Sequence, residues 1–268
     1  MAAQNKATQR ILDKANADPR ISDLLANIQA QIPIDYEWSD VALWGAHIQN
    51  GRAIITVTRT GHPSAALAHE LLHIDLQLKG YRRPRGFLSD IVDLPTFQLL
   101  MTCLDNELQH QRMFAPFSAM NFRSKQFYAD SDVNTERFIW SELAKAQGRI
   151  ERAIHFFTLI APGGAISEGG RNQLRQKFRT VDDGVHESTW VVIEAIVARW
   201  KNDPSFDVTS YLKEILQTLA PTTITKPHRS WFTFQPATEK GLAFPDPGEF
   251  VEGRFEPGDL KWEDADAV

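Results

Sequence analysis

Apolar residues recur at helical spacing through residues 5–30, where Ile11, Ile21, Leu24, Leu25 and Ile28 supply one face and Asp18-Pro19 predicts a break. Pro33 ends that region. The pattern then changes period: Arg52-Ala53-Ile54-Ile55-Thr56-Val57-Thr58 is rich in β-branched residues and reads as a strand. Thr60 to Ser64 form a turn into a helix over 64–78, with Pro63 suited to a first helical position and Gly80 near the stop. A basic loop is expected over 79–86. Asp93-Leu94-Pro95 opens a second helix that continues to about Ala115 and is ended by Pro116, and a third is expected over 132–159, closed by Ala161-Pro162-Gly163-Gly164. Further helices follow at 171–201 and 207–219. From residue 221 prolines forbid long helices, Arg229 to Phe234 reads as a short strand, and residues 262–268 form an acidic tail. The pattern is that of an α+β, mostly helical chain with a small sheet. It divides into an N-terminal helical segment (1–35), a central core (36–160), a helical extension (161–220) and a Pro-rich, partly extended segment (221–268).

Composition narrows the function. The chain has 268 residues and a formal charge of −5, so no general basic surface awaits a phosphate backbone and nucleic acid is not the expected partner. Cys103 is the one cysteine, which excludes an internal disulfide and a Cys-rich metal site. No apolar run is long enough to span a bilayer, and the polar N-terminus has no apolar signal core, so no membrane partner and a cytoplasmic location are expected.

The chemistry concentrates at His69-Glu70-Leu71-Leu72-His73. Four residues along a helix turn about 400°, so both imidazoles leave one face roughly 6 Å apart along the axis, within reach of one metal ion. Zn2+ suits two such nitrogens, and Glu70 beside them is placed to accept a proton from metal-activated water. The surrounding Ala65–Ile74 segment is apolar on nearly every side, and three titratable groups in a buried helix are costly without a compensating ion. The third ligand is expected on the second helix. There Leu100, Cys103, Leu104 and Phe114 share a face with Glu107 and His110, while Asp105, Gln109 and Arg112 fall opposite. Glu107 and His110 are alternatives for that ligand, with His110 preferred.

These features resemble the zincin metallopeptidases, through the 52–58 strand, the His69–His73 helix and a later ligand-bearing helix. Lys79 stands where the metzincin branch needs a further histidine, while Asn106-Glu107 is similar to the pair by which gluzincins supply a glutamate ligand. The run Asn106 to Met113 is also similar to uncharacterised bacterial proteins with HELLH upstream. The resemblance implies a zincin-like catalytic domain over 36–160, a peptide or protein substrate, and pairing of that substrate with the 52–58 strand. The implied activity is zinc-dependent peptide hydrolysis with Glu70 as general base. The alternative is a zincin-like binding or regulatory protein whose metal site is structural or non-proteolytic.

Other features weigh less. Glu136 reads as a solvated helix face, with support of a ligand imidazole as its alternative; His155 and His186 read as ordinary histidines. Tyr81, Arg82, Arg83 and Arg85 read as an exposed loop, with substrate contact as the alternative. Trp231 to Phe234 reads as a core strand, with a peptide-binding platform as its alternative.

Overall fold

The structure is a computed structural model that describes residues 2–40, 43–81, 84–88, 94–128, 135–146, 148–181, 187–219, 233–236 and 251–252. Two helices open it, α1 (Ala2–Asn16) and α2 (Ser22–Gln29), separated at Asp18-Pro19 as the sequence predicts. Asp18 folds the corner by accepting from the Arg20 backbone N–H and guanidinium, and that cation holds its carboxyl down at a pKa of about 2. The corner lets the fully buried Ile21 and Ile28 reach the same core as Leu12 and Ala15.

A three-stranded sheet follows, built from β1 (Ile34–Trp38), β2 (Gly45–Gln49) and β3 (Arg52–Val57) in the order β1-β3-β2. The β2–β3 hairpin turns on Asn50-Gly51, both at positive φ (51° and 71°), the backbone that matches the twist of paired strands. Only β3 is expected from the sequence, and its alternation is clean: Ala53, Ile55 and Val57 point into the core. It pairs in parallel with β1 and antiparallel with β2 along its length. The expected pairing of this strand with an extended substrate is thereby overturned, because both of its hydrogen-bonding edges are already filled.

Helix α3 (Pro63–Leu78) packs against β2, α1, α2 and the long α4 (Leu94–Ala119). Pro63 occupies its first turn as predicted. At its other end Gly80, with φ 102°, lets the Tyr81 N–H return to the Leu76 carbonyl, a cap that glycine allows without steric cost. The turn sends Tyr81 inward under α4, where it is buried; it is neither exposed nor placed for substrate.

Several boundaries differ from expectation. Helix α4 does not stop at Pro116, because the following Phe117 is fully buried against Phe122 and Phe127 and this packing carries the last turn past the missing N–H. The helix expected over 132–159 is two, α5 (Glu136–Leu143) and α6 (Arg149–Ile160), since Gly148 adopts an extended backbone as the cap of the second. The helix expected over 171–201 is likewise two, α7 (Glu168–Val181) and α8 (Glu187–Asn202). Its intervening residues, with His186, lie outside the described ones. Helix α9 (Thr209–Leu219) matches its prediction closely.

Part of the expected basic loop is a strand, β4 (Pro84–Leu88), paired antiparallel with β5 (Thr233–Pro236), which pairs with β6 (Val251–Glu252). Arg82, Arg83, Trp231 and Phe232 lie outside the described residues.

One core cluster runs from Leu12 to Leu219, so the helical extension and the central segment share it. Trp200 of α8 anchors the extension to α4: its Nε1–H donates to the Leu108 carbonyl at 2.7 Å and the Arg112 guanidinium lies over its ring at 3.7 Å. The fold is therefore mostly helical α+β. Among the described residues, no helix is long and apolar enough to cross a membrane.

Candidate metal centre

The two helices that carry the candidate residues cross at their buried middles. On α3, His69 and His73 share a face, and on α4 His110 meets them. His69 Nε2 lies 3.1 Å from His73 Nε2 and 3.2 Å from His110 Nε2. Among the described residues these three form a group whose ligand atoms all lie within 4.8 Å of one another.

The outer ring nitrogens define what the inner ones present. His73 Nδ1 meets Gln109 Oε1 at 2.8 Å. Gln109 cannot be turned around at no cost, because its Nε2 donates to Asp105 Oδ2 at 3.0 Å, and Asp105 Oδ1 in turn accepts from the Tyr81 hydroxyl at 2.6 Å. With Gln109 so oriented, its oxygen can accept from a proton on His73 Nδ1, the tautomer that leaves a lone pair on Nε2. His110 is held similarly: its Nδ1 lies 3.0 Å from Glu107 Oε2 and 2.7 Å from the Tyr128 hydroxyl, which donates to the same carboxylate oxygen at 2.9 Å. Burial and the neighbouring Glu107 push the Tyr128 phenol well above its ordinary pKa, which keeps it a donor.

His69 is pressed towards neutrality. Burial is the main cause, reinforced by His110 and then His73, against a weaker opposing contact with the Phe127 backbone; its pKa falls well below the ordinary value. In these tautomers two lone-pair nitrogens face a third imidazole that carries at most one inward proton. That is a poor hydrogen-bonding arrangement and a good ligand set. Zinc binding three nitrogens at about 2.0–2.1 Å in a tetrahedron separates them by about 3.3 Å, close to the two spacings from His69, while the third pair lies within 4.8 Å. The three imidazoles could hold a metal ion of this kind.

Each predicted site residue among the described ones has a definite place. His69, His73 and His110 come together at their Nε2 atoms, whereas Glu107 lies behind the His110 ring on its Nδ1 side. Glu70 is buried on α3 beside His69. Glu136 approaches the first turn of α7, where a Cβ at Gly170 would meet its Oε2 at 2.3 Å, and so stands at a helix N-terminus. His155 is half-buried against Phe138.

Asp105 and Gln109, expected opposite the buried face, are 4% and 0% exposed. The helical wheel takes the apolar side as the buried one, whereas α4 packs against α3, α6 and α8 and is buried on both sides, where the polar groups satisfy one another. Phe127 and Tyr128 were not anticipated. They follow the short 3-10 turn Ser124–Gln126, and Phe127 packs its ring on His69 and His110 at centroid distances of 4.7 and 5.1 Å. Their one sequence signal is an adjacent aromatic pair, which any core would share.

No protein-family model matches this chain, no curated protein matches its sequence, and no solved structure matches its fold.

Proposed function

We propose that this protein is a zinc-dependent hydrolase of peptide bonds, with His69, His73 and His110 as the ligand set and Glu70 as the general base. The observation that carries this reading is the convergence of three Nε2 atoms, with Gln109 set against His73 Nδ1 and Glu107 and Tyr128 against His110 Nδ1. Three protein ligands leave a coordination position for water or substrate, the arrangement of catalytic zinc sites. Glu107 is engaged behind His110, which speaks against a closed four-ligand site. When bound, zinc would supply Lewis acidity towards a carbonyl and towards water.

Glu70 follows His69 by one residue and precedes His73 by three, so its carboxylate flanks the ligand face. It would take a proton from the attacking water and return it to the leaving amine. Gln109, Glu107 and Tyr128 hold the imidazoles. The peptide bond as target comes from the HELLH resemblance, and a peptide or protein substrate in the cytoplasm belongs to the same reading; β3, filled on both edges, has no part in binding it.

Burial favours a second reading, a binding or regulatory protein with a structural ion: His110 is 1% and His73 8% exposed, and Phe127 packs over two of the rings.

Protein prepared without chelator or nickel should carry about one equivalent of zinc by elemental analysis, and absence of any transition metal removes the metal reading. Digestion of a peptide library separates the two functions. Glu70→Gln should keep the zinc and lower turnover by about 10²–10⁴-fold. A zinc-loaded protein that cleaves no peptide supports the structural reading.

A further inference from the structure

We infer that Tyr81, Asp105 and Gln109 form a polarity relay that sets the tautomer of His73 and so prepares it for metal. The inference rests on the proposed metal site but concerns residues outside the ligand set. The relay runs in one direction: the Tyr81 hydroxyl donates to Asp105 Oδ1 at 2.6 Å, Asp105 Oδ2 accepts from Gln109 Nε2 at 3.0 Å, and Gln109 Oε1 accepts from His73 Nδ1 at 2.8 Å.

An amide alone could not do this. Its oxygen and nitrogen ends are nearly the same size, so Gln109 facing His73 with its NH2 group would demand the opposite tautomer, with a proton on Nε2 where the ion belongs. Asp105 removes that freedom, because a carboxylate offers only acceptors and forces the Gln109 NH2 towards itself. Tyr81 occupies the second carboxylate oxygen and is delivered there by the Gly80 turn that ends α3. Tyr81, Asp105 and Gln109 are all nearly fully buried, so water cannot readily substitute for a lost partner.

The two ligand supports differ in kind. His110 is backed directly by the Glu107 carboxylate, while on the Nδ1 side of His73 a neutral amide stands between the ring and the Asp105 carboxylate. Gln109 is thus a positioning residue for His73, and Asp105 a positioning residue for Gln109.

The test uses Asp105→Asn, which preserves volume but offers an NH2 end to the relay, and Gln109→Leu, which removes it. In metal-free full-length protein at neutral pH, side-chain 1H–15N correlation spectra should show His73 protonated on Nδ1 alone. Asp105→Asn should admit the Nε2–H form and weaken zinc binding about tenfold or more, and Gln109→Leu should weaken it about 10–100-fold. The spectra need no zinc, so they judge the relay even where the metal reading itself fails. An Nε2–H His73 in the unsubstituted protein overturns the inference. So does Asp105→Asn with tautomer and zinc dissociation constant both unchanged, a variant that stays informative where Gln109→Leu does not fold.

Discussion

His110 and Glu107 stand one helical turn apart on α4, and the side of the imidazole each group touches separates their roles. His110 Nε2 faces His69 at 3.2 Å, while Glu107 reaches only the opposite nitrogen, together with Tyr128. Zinc dissociation constants measured side by side should therefore rank them: His110→Ala should abolish tight binding, and Glu107→Ala should cost about 10–100-fold by loosening the ring it orients. The reverse order would exchange ligand and support. His69 and His73 were legible in the sequence because their spacing has a geometric meaning on a helix, and His110 only as one of two alternatives, with Glu107, on one face of α4. Asp105 and Gln109 were not, since the pairing that lets them be buried joins α3, α4 and the turn at Gly80, and no local pattern records it. Tyr128 was hidden for the same reason: its role exists only where Glu107 and His110 meet it.

The elements show a similar division. Helices α3 and α4 announce themselves by apolar periodicity, and β3 by its β-branched alternation. The β2–β3 hairpin also had a local signal, Asn50-Gly51 between short runs, whereas β1 joins the sheet in parallel and β4 pairs with a strand far along the chain. Such partners cannot be inferred from neighbouring residues. The turn between α6 and α7 is an element with a direct bearing on the site. Arg171 donates to the Leu159, Ala161 and Gly163 carbonyls and pins this turn. Gly163, with φ 79°, lies so close to the rings beneath it that a Cβ would stand 2.8 Å from Phe114 Cε2 and 3.2 Å from Phe127 Cβ. Gly163→Ala combines a disfavoured backbone with overpacking and should destabilise metal-free protein by about 1–3 kcal/mol. Urea unfolding measures it, and a change within about 0.5 kcal/mol would show that the turn yields.

Across the described residues, the helical extension and helices α3 and α4 are not separable layers. Trp200 bonds the Leu108 carbonyl in the middle of α4 and stacks under Arg112, so α8 braces the helix that carries His110. The proposed ligands come from two helices, with His69 and His110 separated by 41 positions in the chain. An ion gripping both helices would thus act as a reversible staple across a loop of that length. Closing such a loop in the unfolded chain costs on the order of 3 kcal/mol of entropy, a cost that a staple surviving unfolding would impose on the denatured ensemble. An ion lost on unfolding instead draws the equilibrium towards the folded state by mass action. The two regimes differ in their dependence on zinc: the first saturates once the site is filled, and the second adds about 1.4 kcal/mol for every tenfold rise in free zinc above the dissociation constant. A zinc titration of the unfolding midpoint should follow the second, since neutral imidazoles scattered on a flexible chain grip poorly. A midpoint that stops rising at one equivalent would mean that His69, His73 and His110 keep their ion after the helices have come apart.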